Sequence, residues 1–268
     1  QFNGIVDLRD QIPVGPNKQK LLLYGLMLGG LFSIGGPTVL EKFRSTTSLV
    51  TETETITGIN ALGVIPLFKE HDAIRQLFHG IADQKGPGGT SLNLDEAFRI
   101  LRCSIPLHAP KDNKAQVIMV CSSRPSEGKT TVASHLTRSF AAAQERTLLL
   151  DGDLRRGRIH RVWGTKNDIG MVNWLDATAS IDDIVQKTEL PNVDVIPRGA
   201  QSKPKFEMLA TQRFASLIAE LRQRYDRIII DTPPVGIVTA AFLLIPYTDV
   251  NILLVRQNLT NKKVFESI

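Results

Sequence analysis

Cysteine, tryptophan and tyrosine are scarce in this chain: two, two and three among 268 residues. Cys103 and Cys121 lack metal-ligand spacing and are too few for a disulfide framework, which fits a reducing compartment. The five histidines are scattered, so no histidine-rich metal cluster is expected. The net charge is only +5, and no nucleic-acid-binding motif accompanies it. Nucleic acid is therefore not an expected partner. There is no internal repeat. One long segment has no charge at all: Leu21 to Leu40 runs for twenty residues without Asp, Glu, Lys or Arg.

That run is long enough to span a bilayer core. Five glycines and one proline would make it a poor helix in water, and both residue types are tolerated better in membranes. Gly25 and Gly29 form a G-x-x-x-G pair suited to close helix packing. A transmembrane helix over 21–40 is expected. Nearby charges do not orient it, because Arg9, Lys18 and Lys20 precede it while Lys42 and Arg44 follow.

The most informative residues are Ser123-Arg124-Pro125-Ser126-Glu127-Gly128-Lys129-Thr130-Thr131. They follow the apolar run Gln116 to Cys121 and precede the helical pattern Val132 to Gln144. Strand, loop, then Gly-Lys-Thr opening a helix is the layout of a phosphate-binding P-loop. Backbone N–H groups over Ser126 to Thr131 would surround phosphates. Lys129 would reach the β- and γ-phosphates, and the Thr130 hydroxyl would ligate Mg²⁺. The usual first glycine of the pattern is Ser123.

Two further apolar strands end in acid: Leu148-Leu149-Leu150-Asp151-Gly152-Asp153 and Ile228-Ile229-Ile230-Asp231. Ligands of open α/β sheets sit at such carboxyl ends. Singly, each Asp could as well form a turn or cap a helix. Together they put three carboxylates beside bound phosphates, which would repel them without a cation. ATP and Mg²⁺ are the expected ligands. Because both are cytosolic, residues after about 41 are expected inside the cell.

In this order, the motifs at 123–130, 148–155 (Leu-Leu-Leu-Asp-Gly-Asp-Leu-Arg) and 228–234 resemble the bacterial tyrosine kinases that regulate capsular and exopolysaccharide export. Glu96, Arg99 and Arg102 match that family's E-x-x-R-x-x-R oligomerisation motif. Without the family, these three would read as a solvated face, since a spacing of three keeps them near one side of a helix. The segments Ile12 to Lys18 and Thr57 to Pro66 resemble the flanks of the second membrane helix in polysaccharide co-polymerases, the chain-length determinants. The resemblance implies an α/β P-loop NTPase fold with a mostly parallel sheet flanked by helices, preceded by one transmembrane helix.

It further implies a periplasmic segment 1–20, the span 21–40, a cytoplasmic juxtamembrane segment and linker 41–93, and a C-terminally truncated kinase domain 94–268. The implied function is an ATP-dependent protein-tyrosine autokinase. Lys129, Asp151 and Asp153 would be catalytic, and Thr130, Asp153 and Asp231 would hold Mg²⁺. Implied partners are a homo-oligomeric ring in the inner membrane, the polysaccharide polymerase and export machinery, and a cognate tyrosine phosphatase. An ATP-driven switch, or an assembly module without kinase activity, remains the alternative. Ser126, His135, Ala240 and Pro204-Lys205 depart from the family pattern. Arg155, Arg156, Arg158 and Arg161 cluster after the second acidic motif, as a solvated face, as phosphate neighbours or as a membrane contact.

Overall fold

The computed structural model describes residues 90–108, 116–200, 206–235 and 240–256, with Leu22, Glu54, 58–59, 61–67 and 77–78. The chain divides into two compact units, 1–45 and 46–268. In the first, only Leu22 is described, as an exposed helical residue, so the expected span lies outside the described residues. Among the described residues, no helix is long and apolar enough to cross a membrane.

Among the described residues the second unit is built on six strands: β1 (Gln116–Ser122), β2 (Thr147–Asp151), β3 (Gln186–Lys187), β4 (Val193–Ile196), β5 (Arg227–Asp231) and β6 (Val250–Leu254). Their order in the sheet is β3-β4-β2-β5-β1-β6. Only the β3–β4 edge pair is antiparallel. The parallel strands are apolar runs because both sheet faces are covered, which requires burial of every side chain rather than alternate ones. β2 is buried at all five positions.

The two-residue period of the strands sorts the core into two layers. Val117, Met119, Leu148, Leu150, Ile228 and Ile230 point to one face. There they meet Phe214, Leu217 and Leu221 of the helix Gln212–Arg224. Ile118, Val120, Leu149 and Ile229 point to the other. That face is covered by helix α2 (Lys129–Ala142) through Val132, Leu136 and Phe140, with helix α1 (Thr90–Ser104) joining the same cluster. Leu94, Phe98 and Leu101 recur at helical spacing and form the buried stripe of α1, which Ile105 continues just past its end. His135 is no surface residue: its ring stacks on Phe98 with centroids 5.0 Å apart, fixing α1 on α2.

Two boundaries differ from expectation. Helix α1 begins at Thr90, inside the segment 41–93 expected as juxtamembrane segment and linker. The last strong helix breaker upstream is Gly89, and nothing between 90 and 93 resists helix comparably. The domain edge at 94 also moves upstream. Leu77 is 1% exposed within the α1–α2 core, and Leu62, Ile65 and Phe78 pack against it.

This packing separates the two cysteines. Cys121 is buried in β1 and its burial pushes the thiol up to about 11, whereas Cys103 is exposed on α1. Thiol labelling of the native chain at pH 8 is expected to modify Cys103 and spare Cys121. Peptide mapping of the alkylated protein checks this, and labelling at Cys121 should appear only after unfolding.

Candidate functional site

The strand order brings the three motifs together. β5 lies between β1 and β2, with Val120 and Asp151 both in register with Asp231. The P-loop leaves the end of β1, and α2 starts at Lys129 beyond an N-cap at Gly128. Gly128 has φ 99°, a left-handed conformation that costs glycine little. Ser126 takes the same region at φ 65°, so the loop pays roughly 1 kcal/mol of strain where a glycine would be relaxed. The departure at Ser126 therefore changes backbone energy and not loop shape.

The loop is held from inside by Glu127. Its buried carboxylate accepts from Ser123 Oγ at 3.1 Å and from the Arg124 N–H at 3.0 Å. This explains how serine serves where the pattern has its first glycine. The Glu127 side chain is turned into the loop, which leaves its backbone N–H as the group Glu127 could offer a phosphate. Lys129 is likewise buried, its Nζ donating to Ser122 Oγ at 2.9 Å. Ser122, as the lysine's rest position, was not foreseen from the sequence. Burial lowers the Lys129 pKa, while the negative charges of Asp231, Glu127 and Asp153 act to raise it.

Thr130 Oγ1 donates to Asp231 Oδ2 at 2.6 Å, joining the helix start to the end of β5. Asp231 and Asp151 are both buried, and the Oδ1 atom of each has no hydrogen-bond partner. Burial pushes the Asp231 carboxyl up to about 7. Asp151 is raised as well, first by burial and then by the charges of Asp231 and Asp153. Two orphaned carboxylate oxygens on adjacent strands form an electrostatic defect that a divalent cation would relieve. Among the described residues no three His, Cys, Asp or Glu side chains make a metal cage. Mg²⁺ suits such a site because it binds through one or two protein oxygens plus water and substrate phosphates.

Asp151 and Asp153 are not equivalent. Asp151 Oδ2 accepts from the Ile159 N–H at 3.3 Å, and Gly157 lies directly over its carboxylate. A Cβ at Gly157 would stand 2.4 Å from Asp151 Oδ2, so only glycine fits there. Asp151 thus shapes the 151–159 loop through Oδ2, while its Oδ1 stays without a partner. Asp153 is partly exposed and fixes its own turn, Oδ1 accepting from the N–H groups of Arg155 and Arg156. It is the more exposed of the two acids.

The E-x-x-R-x-x-R face divides in the same way. Glu96 and Arg99 are exposed and pair at 3.3 Å. Arg102 turns inward and donates to the Ser139 carbonyl at the end of α2, 2.6 Å away. Each step of three residues rotates about 60° around a helix, so 96 and 102 stand roughly 120° apart. Arg102 therefore holds α1 to α2 within one chain and does not lie on the face with Glu96.

Removing a buried like-charge pair should stabilise the ligand-free protein. Asp231 has its ordinary low value when unfolded and about 7 when folded. The folded state therefore binds the extra proton, and stability falls as pH rises from about 4 to 7. Asp231→Asn removes that loss. It is expected to raise unfolding stability by about 4 kcal/mol above pH 7, with the gain vanishing near pH 4. Denaturant melts at both pH values measure it.

Residues 115–259 match the AAA-domain family. The chain is 30% identical over 260 residues to the tyrosine-protein kinase wzc of Salmonella typhimurium, covering 94% of this chain and 36% of that protein. It is 36% identical over 170 residues to the tyrosine-protein kinase CpsD of Streptococcus pneumoniae, covering 63% of this chain and 74% of the relative. The kinase domain of VpsO superposes with a TM-score of 0.58 at 35% identity, covering 65% of this chain and 84% of that structure. The chimerical protein CapA2B2 superposes with 0.70 at 28% identity, over 82% and 90%. The chain thus spans only about a third of the length of relatives such as wzc.

Proposed function

The chain belongs to the bacterial tyrosine-protein kinase family, and from that premise we propose that it transfers the γ-phosphoryl group of ATP to a tyrosine hydroxyl. The observation that carries this reading is the pair of buried, unpartnered carboxylate oxygens on Asp151 and Asp231, beside Thr130 and Lys129. A site built only to stabilise the fold would have paired them.

Lys129 leaves Ser122 and lays its charge against the β- and γ-phosphates. The N–H groups at the start of α2, without acceptors inside the helix, receive phosphate oxygens. Thr130 and Asp231, supported by Asp153, would hold Mg²⁺. When bound, Mg²⁺ neutralises charge that develops on the phosphates. Asp153 takes the proton from the tyrosine hydroxyl. The tyrosine oxygen then bonds to the γ-phosphorus as the bridge to the β-phosphate breaks and ADP leaves. Asp151 keeps the 151–159 loop in place around this chemistry.

The wider setting belongs to the same proposal. The charge-free run 21–40 would anchor the domain in a bacterial inner membrane, with the kinase unit in the cytoplasm. The polysaccharide polymerase and export machinery, and a tyrosine phosphatase that reverses the reaction, would be its partners. The names of the relatives and the resemblance to co-polymerase flanks support this reading.

Lys129→Met should weaken ATP binding at least tenfold by removing the charge on the phosphates. Asp153→Asn should lower transfer to a tyrosine peptide by about 10² or more, with a smaller loss in ATP affinity. Titration with Mg²⁺ and ATP, together with phosphotyrosine formation on the peptide, reads both. Turnover of ATP without phosphotyrosine would instead identify an ATP-driven switch.

Ring assembly would use the exposed pair Glu96 and Arg99, without Arg102. Glu96→Ala combined with Arg99→Ala should shift membrane-tethered assemblies to smaller species in light scattering while ATP affinity stays the same. Assemblies of unchanged size would leave this pair a solvated face.

A further inference from the structure

A second anion site stands next to the first. The turn that Asp153 fixes leads directly into a cavity of about 330 Å³ lined by Arg155, Arg156, Arg158, Arg161, Arg198 and His160. No carboxylate is among its lining residues. None of these arginines forms an ion pair among the described residues. The cavity is built and not incidental: Arg198, which follows the end of β4, donates through Nη1 to the Arg155 carbonyl at 3.1 Å, joining its two walls. His160 Nδ1 is buried there without a hydrogen-bond partner. Burial, then the charges of Arg161 and Arg198, lower the imidazole's pKa, as expected where positive charge is uncompensated. Concentrating five guanidinium groups around one concavity costs repulsion unless an anion occupies it.

We propose that this cavity binds a phosphotyrosine carried by the acceptor segment, so that a tyrosine already phosphorylated holds a neighbouring tyrosine at Asp153. The ligand's identity rests on the kinase reading, whose product is a tyrosine phosphate. The charge fits: a tyrosine phosphate carries nearly two negative charges and three acceptor oxygens, which arginine forks bind bidentately. The location fits too, because the cavity wall and the Asp153 turn are one continuous stretch, 153–161. An anionic membrane surface is the rival source of negative charge. It is disfavoured by the cavity's place, which adjoins the Asp153 turn where an acceptor tyrosine would enter, a neighbour that a polybasic membrane contact does not need.

The test is binding of a tyrosine-containing peptide to the full chain by calorimetry, in phosphorylated and unphosphorylated forms. The phosphorylated form is expected to bind at least tenfold more tightly. Arg158→Ala, an exposed change that disturbs no described hydrogen bond, and Arg198→Ala should each cut that affinity about tenfold. Lys129→Met should leave it unchanged, which separates this cavity from the nucleotide site. Equal affinity for both peptides overturns the proposal, as does a loss that follows Lys129 and not the arginines. Arginine-dependent binding to phosphatidylserine vesicles without phosphopeptide binding also overturns it and makes the cavity a membrane contact. Phosphopeptide binding with the expected arginine dependence, but no phosphotransfer in the separate kinase assay, would keep the site and remove the kinase reading.

Discussion

Two carboxylates buried at the same level on neighbouring parallel strands are the constraint around which this domain is arranged. Asp151 and Asp231 are in register across β2 and β5, both out of contact with water. Their mutual repulsion and desolvation oppose folding. Asp153 adds to that cost, while several other neighbours reduce it in part. Thr130 donates to one, the Ile159 N–H to the other, and the Lys129 ammonium stands nearby. The compensation is incomplete, since an oxygen of each remains unpartnered. The fold thus stores an unmet demand for positive charge where a metal-bound triphosphate would supply it.

The rest of the architecture keeps that demand in place. The apolar runs of β1, β2 and β5 bury on both faces and set the register that aligns the strand ends. α2 is pinned to the sheet by Val132, Leu136 and Phe140, so Lys129 and Thr130 are fixed at its start. Phe98, His135 and Arg102 hold α1 against α2, which extends the rigid body outward to the exposed Glu96–Arg99 pair. A change at the nucleotide edge therefore has a packed route to a candidate assembly face. It is a route of contacts and not yet of demonstrated coupling.

Much of this was legible in the sequence because periodicity and chemistry coincide there. Continuous apolar strands ending in Asp, and Gly-Lys-Thr opening a helix, leave few alternatives, so the sheet class and the convergence of Lys129, Thr130, Asp151, Asp153 and Asp231 could be read directly. What stayed hidden depends on side-chain direction. Spacing alone does not tell that Glu127 folds inward, that Arg102 faces α2, or that Gly157 closes over Asp151. Ser122 and Arg198 carry no motif at all and acquire roles only through the fold. The start of α1 was read late because the glycine-rich stretch before it reads as linker, whereas Leu94, Phe98 and Leu101 draw the helix onto the core.

The central claim is that the buried acid pair is poised for a cation-bound triphosphate. Near pH 7 the pair is partly protonated, because the Asp231 carboxyl sits at about 7 and Asp151 is also raised. Binding of preformed Mg²⁺·ATP must then expel protons. Calorimetric titration at pH 7 in two buffers of different ionisation enthalpy measures that number directly. The account predicts net proton release that falls in Asp231→Asn. Binding with no proton release, or with release that the substitution leaves unchanged, would contradict it.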